Sequence, residues 1–325
     1  MFTYPPNRRS VLPNEGPPPA PDPAVPGLAA LAEGQLDPLL EAAGALPLLR
    51  VRVLKQHVGS RCTLVVTGRS STVVLKLFER PPTELVALHV AFRRAGLASG
   101  TGPTVAPMLA ESAAAAAIVT AFFSEPPCRD LIVNGAAERA ALLAGTWLQV
   151  LARSGIRAGS AYGSAEALLD TEGWRERLSR AIPELSARAG AVVRALQARP
   201  PAGSPPILAH GSYSASHVFD LGSGPGVIDW DGFRQAPPEF DAGRFLGGLS
   251  SLAAGRRGVE QWAARAAQAF LESVAAMLDP WALTWYRSAA LLRLAYYATI
   301  RRPKRWEERA ERLLAEAADR MAAAS

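Results

Sequence analysis

Cysteine and long apolar runs are both scarce in this sequence. The 325 residues include two cysteines, Cys62 and Cys128, and neither lies in a CxxC motif or in a Cys/His cluster with metal-ligand spacing. This scarcity argues against a disulfide framework and against a zinc site. The longest apolar run, residues 113–123, is too short to cross a bilayer, and the opening segment MFTYPPNRRS lacks the apolar stretch of a signal peptide. We therefore expect a cytoplasmic protein that is neither exported nor inserted into a membrane.

Lysine is also rare, with three copies against 32 arginines. The net charge of +6 and the isoelectric point near 9.7 would suit a nucleic-acid-binding protein. The arginines, however, are spread between acidic residues instead of forming one stripe. In the densest basic stretch, residues 301–309, glutamates at helical spacing are typical of a solvated helix. The charge pattern therefore argues against a nucleic-acid partner.

The order of apolar patterns predicts two lobes of different structure. A chain of this length with 49% apolar residues can bury a core that divides in two. Residues 1–27 are rich in proline and are expected to form a disordered tail. Residues 28–123 should form a β-rich lobe with one helix at 83–95, and residues 124–325 a mainly helical lobe. The predicted fold class is α+β, with a small five-stranded antiparallel sheet built from the runs 49–54, 62–66, 72–78, 105–109 and 116–123.

Residues 207–231 place polar groups at the turns and exits of short strands. The run ILA at 207–209 leads into His210-Gly211, and the run GVI at 226–228 ends in DWD at 229–231. Short β runs separated by glycine-rich turns favour a small hairpin. Carboxylates at a strand exit can hold a hard cation against the phosphates of a nucleotide. The segment is therefore typical of a kinase-type site.

This segment resembles the catalytic and metal-binding loops of the aminoglycoside phosphotransferase and choline kinase-like family, in which His-Gly-Asp…Asn is followed by Ile-Asp-Trp/Phe-Glu/Asp. The resemblance extends over roughly residues 46–320 and includes APPEFD at 236–241. It implies a two-lobed protein-kinase-like fold. It also implies an ATP-dependent phosphotransferase that uses Mg²⁺ or Mn²⁺ and acts on a hydroxyl or amine of a small molecule.

The chain departs from this family at the catalytic loop. Ser212 stands where the family has its catalytic aspartate, and a hydroxyl cannot serve as a carboxylate base at neutral pH. The resemblance implies that His210 orients the loop and that Asp241 supports it. Asp241 is equally compatible with an ordinary N-cap role for the helix that follows.

Three residues are implied as metal contacts. Asp229 would bridge the cation and the phosphates, with Asp231 as a second acidic contact, although an aspartate at a strand end can also be a turn former. His217 stands where the family has its metal-binding asparagine. Because imidazole suits softer first-row metals better than Mg²⁺, we expect Mn²⁺ to serve at least as well.

The first lobe carries the residues expected to bind the nucleotide. Lys76 lies inside the apolar strand VVLKLF, where it is either a solvent-facing edge lysine or a ligand for an anion. The resemblance favours a phosphate-binding lysine held by Glu84 of the next helix, although Glu84 can instead be a first-turn carboxylate. Further contacts are expected in the turn after the first strand and in the hinge, at Gly59, Ser60, Phe122 and Phe123.

Three functions remain open from the sequence. The first is a small-molecule phosphotransferase, and the second is a pseudokinase that binds a nucleotide or a partner without turnover, as the changes at Ser212 and His217 indicate. The third is a partner-binding module that acts through the proline-rich tail. Measurements of ADP release and of ATP binding would distinguish these three functions.

Overall fold

The computed structural model describes residues 19–202 and 204–323. The chain forms two compact units, one ending at Ser124 and the other starting at Glu125. In the two described ranges, no helix has both the length and the apolar character needed to cross a membrane. Residues 1–18 of the expected tail lie outside the described residues.

The expected tail ends before residue 27. The backbone of Ala20 exchanges two hydrogen bonds with the side chain of Gln56, at N···Oε1 2.9 Å and O···Nε2 2.7 Å. Val25 is buried, and a helix begins at Pro26, consistent with the preference of proline for the first helical turn. These contacts attach the segment before that helix to the end of the first strand.

The first unit contains the five-stranded antiparallel sheet predicted from the sequence. The sheet order is β1-β2-β3-β6-β5. The predicted run 105–109 is instead divided, because Pro107 lies between β4 and β5 and cannot donate a ladder hydrogen bond. The elements of this unit are α1 (Pro26–Ala32), α2 (Asp37–Ala42), β1 (Leu48–His57), β2 (Arg61–Gly68), β3 (Thr72–Phe78), α3 (Thr83–Arg94), β4 (Thr104–Val105), β5 (Met108–Ser112) and β6 (Ala117–Ala121).

One face of this sheet packs against α1 and α2. Leu28 and Leu40 from the helices share a core with Leu64, Leu75 and Val119 from the strands. Because successive side chains of a strand point to opposite faces, the residues between these core positions project from the other face. Lys76 is one of them, since it follows Leu75 in β3.

The second unit is mainly helical, as predicted, and contains two antiparallel strand pairs. β7 pairs with β10, and β8 pairs with β9. The helices α6, α7, α10 and α11 surround a core that includes Leu178, Leu196, Trp285 and Leu314. The elements are α4 (Cys128–Val133), α5 (Ala137–Ser154), α6 (Ser164–Ala181), α7 (Ser186–Ala198), β7 (Ile207–Ala209), β8 (Val218–Asp220), β9 (Pro225–Val227), β10 (Arg234–Ala236), α8 (Pro238–Gly255), α9 (Glu260–Val274), α10 (Pro280–Arg301) and α11 (Trp306–Ala323).

Candidate functional site

A buried carboxylate anchors the loop that follows β7. Asp241, in the first turn of α8, accepts hydrogen bonds from the backbone N–H of His210 at 2.5 Å and of Gly211 at 3.0 Å. Burial raises the pKa of Asp241 to about 6, although the two amides and nearby Arg244 act in the opposite direction. The side chain therefore carries a costly buried charge at neutral pH, and the loop amides are its hydrogen-bond donors.

Gly211 is the position at which this loop requires glycine. Its φ angle is +79°, in the left-handed region, and a Cβ built there would lie 1.8 Å from the carbonyl oxygen of Gly232. Gly232 closes a short 3₁₀ turn, Trp230–Gly232, directly after Asp229. The absence of a side chain thus lets the loop after β7 approach the turn after β9.

His210 connects the same two segments through its ring. Its Nδ1 accepts a hydrogen bond from the backbone N–H of Ser212 at 3.3 Å, so the proton of the neutral ring is on Nε2. Nε2 then donates to the carbonyl oxygen of Ile228 at 2.8 Å. The hydroxyl of Ser212 lies 3.2 Å from Nδ1. His210 is fully buried, and its position fixes the loop carrying Ser212 relative to the exit of β9.

His217 and Asp229 form an accessible nitrogen and oxygen pair beside this loop. The Nδ1–H of His217 donates to the carbonyl oxygen of Ser212 at 2.9 Å, and its Nε2 lies 3.6 Å from Oδ2 of Asp229. The two side chains are 23% and 36% exposed. Asp229 has a φ angle of +68°, a conformation that costs energy for a residue other than glycine. The fold therefore holds the Asp229 backbone in a strained conformation next to the imidazole of His217.

The spacing of this pair fits two ligands of one divalent cation. Metal–ligand bonds of about 2.1 Å allow two donor atoms to lie up to about 4.2 Å apart, and Nε2 and Oδ2 are 3.6 Å apart. Among the described residues, no group of three or more His, Cys, Asp or Glu side chains is arranged to hold a metal. The chain thus offers a two-residue donor set that other ligands would have to complete.

Asp231 lies in the 3₁₀ turn two residues after Asp229 and is partly buried. Between them, the ring of Trp230 is buried and packs against His210 at 4.6 Å and Trp147 at 6.0 Å between ring centroids. These ring contacts fix the turn that carries both aspartates. The contribution of Asp231 to a metal site stays a prediction.

Lys76 and Glu84 lie in the first unit. Lys76 is 7% exposed in the central strand β3, so it is not the solvent-facing edge lysine that the sequence left open. Glu84 is exposed in the first turn of α3. The ion pair between them stays a prediction.

The turn between β1 and β2 is held by a residue that the sequence analysis did not identify. The backbone N–H of Gly59 donates to Oδ2 of Asp22 at 2.7 Å, and the N–H of Ser60 donates to the carbonyl of His57 at 3.0 Å. Asp22 belongs to the proline-rich segment, where nothing in the sequence distinguishes it. At the end of this unit, the predicted hinge residues differ in burial, since Phe122 is exposed and Phe123 is buried.

Two arginines beside the loop that follows β7 were also missed. Arg234 donates from Nε to the carbonyl of Gly232 at 3.2 Å, and its guanidinium lies 4.4 Å from the ring centroid of Tyr162. Arg244 is buried and lies 4.4 Å from the centroid of Phe240. Burial and the charge of Arg293 lower the pKa of Arg244 to about 9. No signal in the sequence could separate these two from the other arginines of an arginine-rich chain.

Comparison with known proteins places this geometry in context. The model of a family described as "Phosphotransferase enzyme family" matches residues 50–281. No curated protein matches the sequence. Several solved structures do match the fold.

Among them, a choline kinase from Streptococcus pneumoniae aligns at a TM-score of 0.58 and 10% identity, over 88% of this chain and 100% of that one. A choline/ethanolamine kinase family protein from Mesorhizobium loti aligns at 0.57 and 15% identity, over 90% and 94%. An aminoglycoside 2′-phosphotransferase-IIIa in its GDP complex aligns at 0.53 and 12% identity, over 88% and 98%. These similarities confirm the predicted protein-kinase-like fold class.

Proposed function

The chain belongs to the phosphotransferase enzyme family, and from this premise we propose that it transfers the γ-phosphoryl group of ATP to a hydroxyl or amine of a small molecule. The observation that carries the proposal is the accessible pair of His217 and Asp229, 3.6 Å apart. The pair stands beside a loop that Asp241 and His210 fix by four hydrogen bonds. A site of this kind positions phosphates and a cation, and phosphoryl transfer depends mainly on such positioning.

In this proposal, Asp229 and His217 hold a divalent cation, and Asp231 is a second acidic contact. When bound, the cation would neutralise charge on the phosphate oxygens. Because one of the two donors is an imidazole nitrogen, Mn²⁺ would fit at least as well as Mg²⁺. In the first unit, Lys76, supported by Glu84, would pair with phosphates, while the turn of Gly59 and Ser60 and the hinge of Phe122 and Phe123 would contact the nucleotide.

The acceptor side of the site lacks a strong base. As the acceptor oxygen bonds to the γ-phosphorus and the bond to the ADP oxygen breaks, the acceptor proton must leave. Ser212 has no carboxylate to receive it. His210 is a poor substitute because its Nδ1 already accepts from the backbone N–H of Ser212 and its Nε2 donates to the carbonyl of Ile228, so the acceptor proton would pass to solvent water. We therefore propose that His210 orients the loop and that Asp241 supports it. We also expect the wild-type protein to turn over slowly.

The test is ADP formation with Mg²⁺ or Mn²⁺ across a panel of alcohols and amines. The net charge of +6 disfavours polycationic acceptors, so the panel should include neutral and anionic alcohols as well as choline and aminoglycosides. Activity should exceed the background of Lys76→Ala and fall in Asp229→Asn. Equal rates in the wild type and both variants would refute the proposal.

A second candidate is a pseudokinase that binds nucleotide without turnover. It is favoured by Ser212, which leaves the acceptor without a carboxylate base. A melting shift with Mn²⁺ and ATP that is lost in Asp229→Asn, together with no ADP formation for any acceptor, would select this candidate.

A further inference from the structure

A pocket lies between α8, α9, α10 and α11 of the helical unit, and none of the candidate-site residues lines it. It encloses about 310 Å³, a volume at the lower end of the range of small-molecule sites. Its apolar walls are made of Leu249 and Leu313 and of five alanines from two helices: Ala253 and Ala254 from α8, and Ala263, Ala264 and Ala267 from α9. Because the alanine side chains are small, they leave space for the body of a ligand.

The polar side of the pocket centres on Arg287 of α10, which is 9% exposed. Its Nη2 donates to Oε1 of Glu316 at 2.8 Å and to the hydroxyl of Ser250 at 3.1 Å. Arg320 donates from Nε to the same glutamate oxygen at 2.8 Å. The Nε of Arg287 is buried and finds no hydrogen-bond acceptor among the described residues. A buried donor without an acceptor is costly, but Nε has no contact with solvent, so an added acceptor would reach it only if the Arg287 side chain shifts.

The charges that line the pocket do not balance. Three arginines, Arg287, Arg312 and Arg320, face two glutamates, Glu260 and Glu316. Glu316 already forms ion pairs with Arg287 and Arg320. Glu260 accepts a hydrogen bond from the backbone N–H of Gly258 at 2.7 Å. Burial and the nearby charge of Arg320 lower the pKa of Arg287 to about 10, despite the opposing effect of Glu316. Arg287 still carries a charge at neutral pH, and the pocket has an excess of positive charge.

We propose that this pocket binds a small organic anion, a carboxylate or phosphate ester with a compact apolar body. The oxyanion would pair with Arg312 and Arg320 at the rim, and a shift of the Arg287 side chain would add its Nε as a donor, because a guanidinium matches the geometry of both kinds of oxyanion. The body would contact the alanines of α8 and α9. This inference does not depend on phosphoryl transfer.

Isothermal titration calorimetry on the full chain tests the proposal with four ligands, each a benzene ring that carries a different head group. Benzoate and phenyl phosphate carry the two anionic heads, whereas benzyl alcohol is neutral and benzylamine is cationic. At least one of the anions should bind with one-to-one stoichiometry, and the neutral and cationic probes should not. Binding should be unchanged in Lys76→Ala, which removes the phosphate-binding lysine proposed for the candidate site and so excludes capture of the anion there.

Two variants with matched controls localise the binding. Arg312→Gln should weaken anion affinity about 2- to 5-fold, the loss expected for one exposed charged contact, whereas Arg153→Gln on the exposed face of α5 should not. Ala264→Leu should block the pocket, whereas the exposed Ala152→Leu should not. The proposal is overturned if neither anion binds at millimolar concentration, if benzyl alcohol binds as tightly, or if both variants behave like their controls.

Discussion

The buried carboxylate of Asp241 should give the helical unit a distinct dependence of stability on pH. Burial raises the pKa of Asp241 from 3.8 to about 6 in the folded state. Between these two values the folded protein binds a proton that the unfolded chain has released. The contribution of this group to stability is therefore fully present below pH 4 and is lost as the pH rises through about 6. A gap of about 2 pKa units, at about 1.4 kcal/mol per unit, makes the effect about 3 kcal/mol.

Asp241→Asn removes this ionisation and isolates the effect. On going from pH 7.5 to pH 4, the free energy of unfolding of the wild type should rise by about 2.4 kcal/mol relative to that of the variant, because the unfolded chain is already partly protonated at pH 4. Urea unfolding followed by tryptophan fluorescence measures the difference. All seven tryptophans lie beyond residue 124, so the signal reports on the helical unit alone.

Asp319→Asn, the same chemical change at an exposed position of α11, is the control and should show no comparable change. A difference between wild type and Asp241→Asn that stays constant with pH would refute the reasoning. A difference of the opposite sign would also refute it, because it would mean that Arg244 and the two loop amides outweigh burial.

Three further predictions concern the loop itself. Ser212→Asp should raise ADP formation by about 10- to 1000-fold, because a carboxylate can receive the acceptor proton. His217→Asn should shift preference from Mn²⁺ toward Mg²⁺, measured as the ratio of melting shifts with the two metal–ATP complexes. Gly211→Ala should cost at least about 2 kcal/mol in urea unfolding. Gly222→Ala is its matched control, since Gly222 has a φ angle of +77° but no atom within 4 Å of a built Cβ.

Each of these predictions has an outcome that contradicts it. If Ser212→Asp combined with His217→Asn stays at the background of Lys76→Ala while still binding ATP, the protein is a pseudokinase. An unchanged metal preference in His217→Asn would place that imidazole outside the coordination shell. Equal losses in the two glycine variants would mean that the close approach to Gly232 adds nothing to the cost of a positive φ angle.

The sheet and the helical unit could be predicted from the sequence because the apolar residues of their cores recur at the regular spacing of strands and helices. Leu64 and Val66 in β2 and Leu75 and Leu77 in β3 alternate toward α1 and α2, and this alternation is visible in the sequence. The fourth predicted strand was misplaced because Pro107 interrupts an otherwise apolar run. The folded residues 19–25 were missed for a different reason. Their order comes from contacts with Gln56 and Gly59, about 35 residues away in the sequence, and proline-rich composition carries no sign of such contacts.

Only part of the candidate site could be predicted from the sequence. Asp229 and His217 could be found from their positions in a motif, but their separation and the left-handed backbone of Asp229 are products of the folded hairpin. The ring orientation of His210 depends on the amide of Ser212 and the carbonyl of Ile228, which any residues would supply. Contacts made by such backbone groups cannot be predicted from the pattern of side chains.

Four of the contacts that hold the loop do not involve the side chain at position 212. Asp241 holds the amides of residues 210 and 211, His210 accepts from the amide of residue 212, and His217 donates to the carbonyl of residue 212. All four contacts use the backbone of the loop and not the hydroxyl of Ser212. Replacing that hydroxyl with a carboxylate therefore leaves the four contacts available and removes only the contact of the hydroxyl with Nδ1 of His210 at 3.2 Å. A change in turnover on Ser212→Asp, with the melting temperature preserved, would report on the chemistry at the acceptor and not on the placement of the loop.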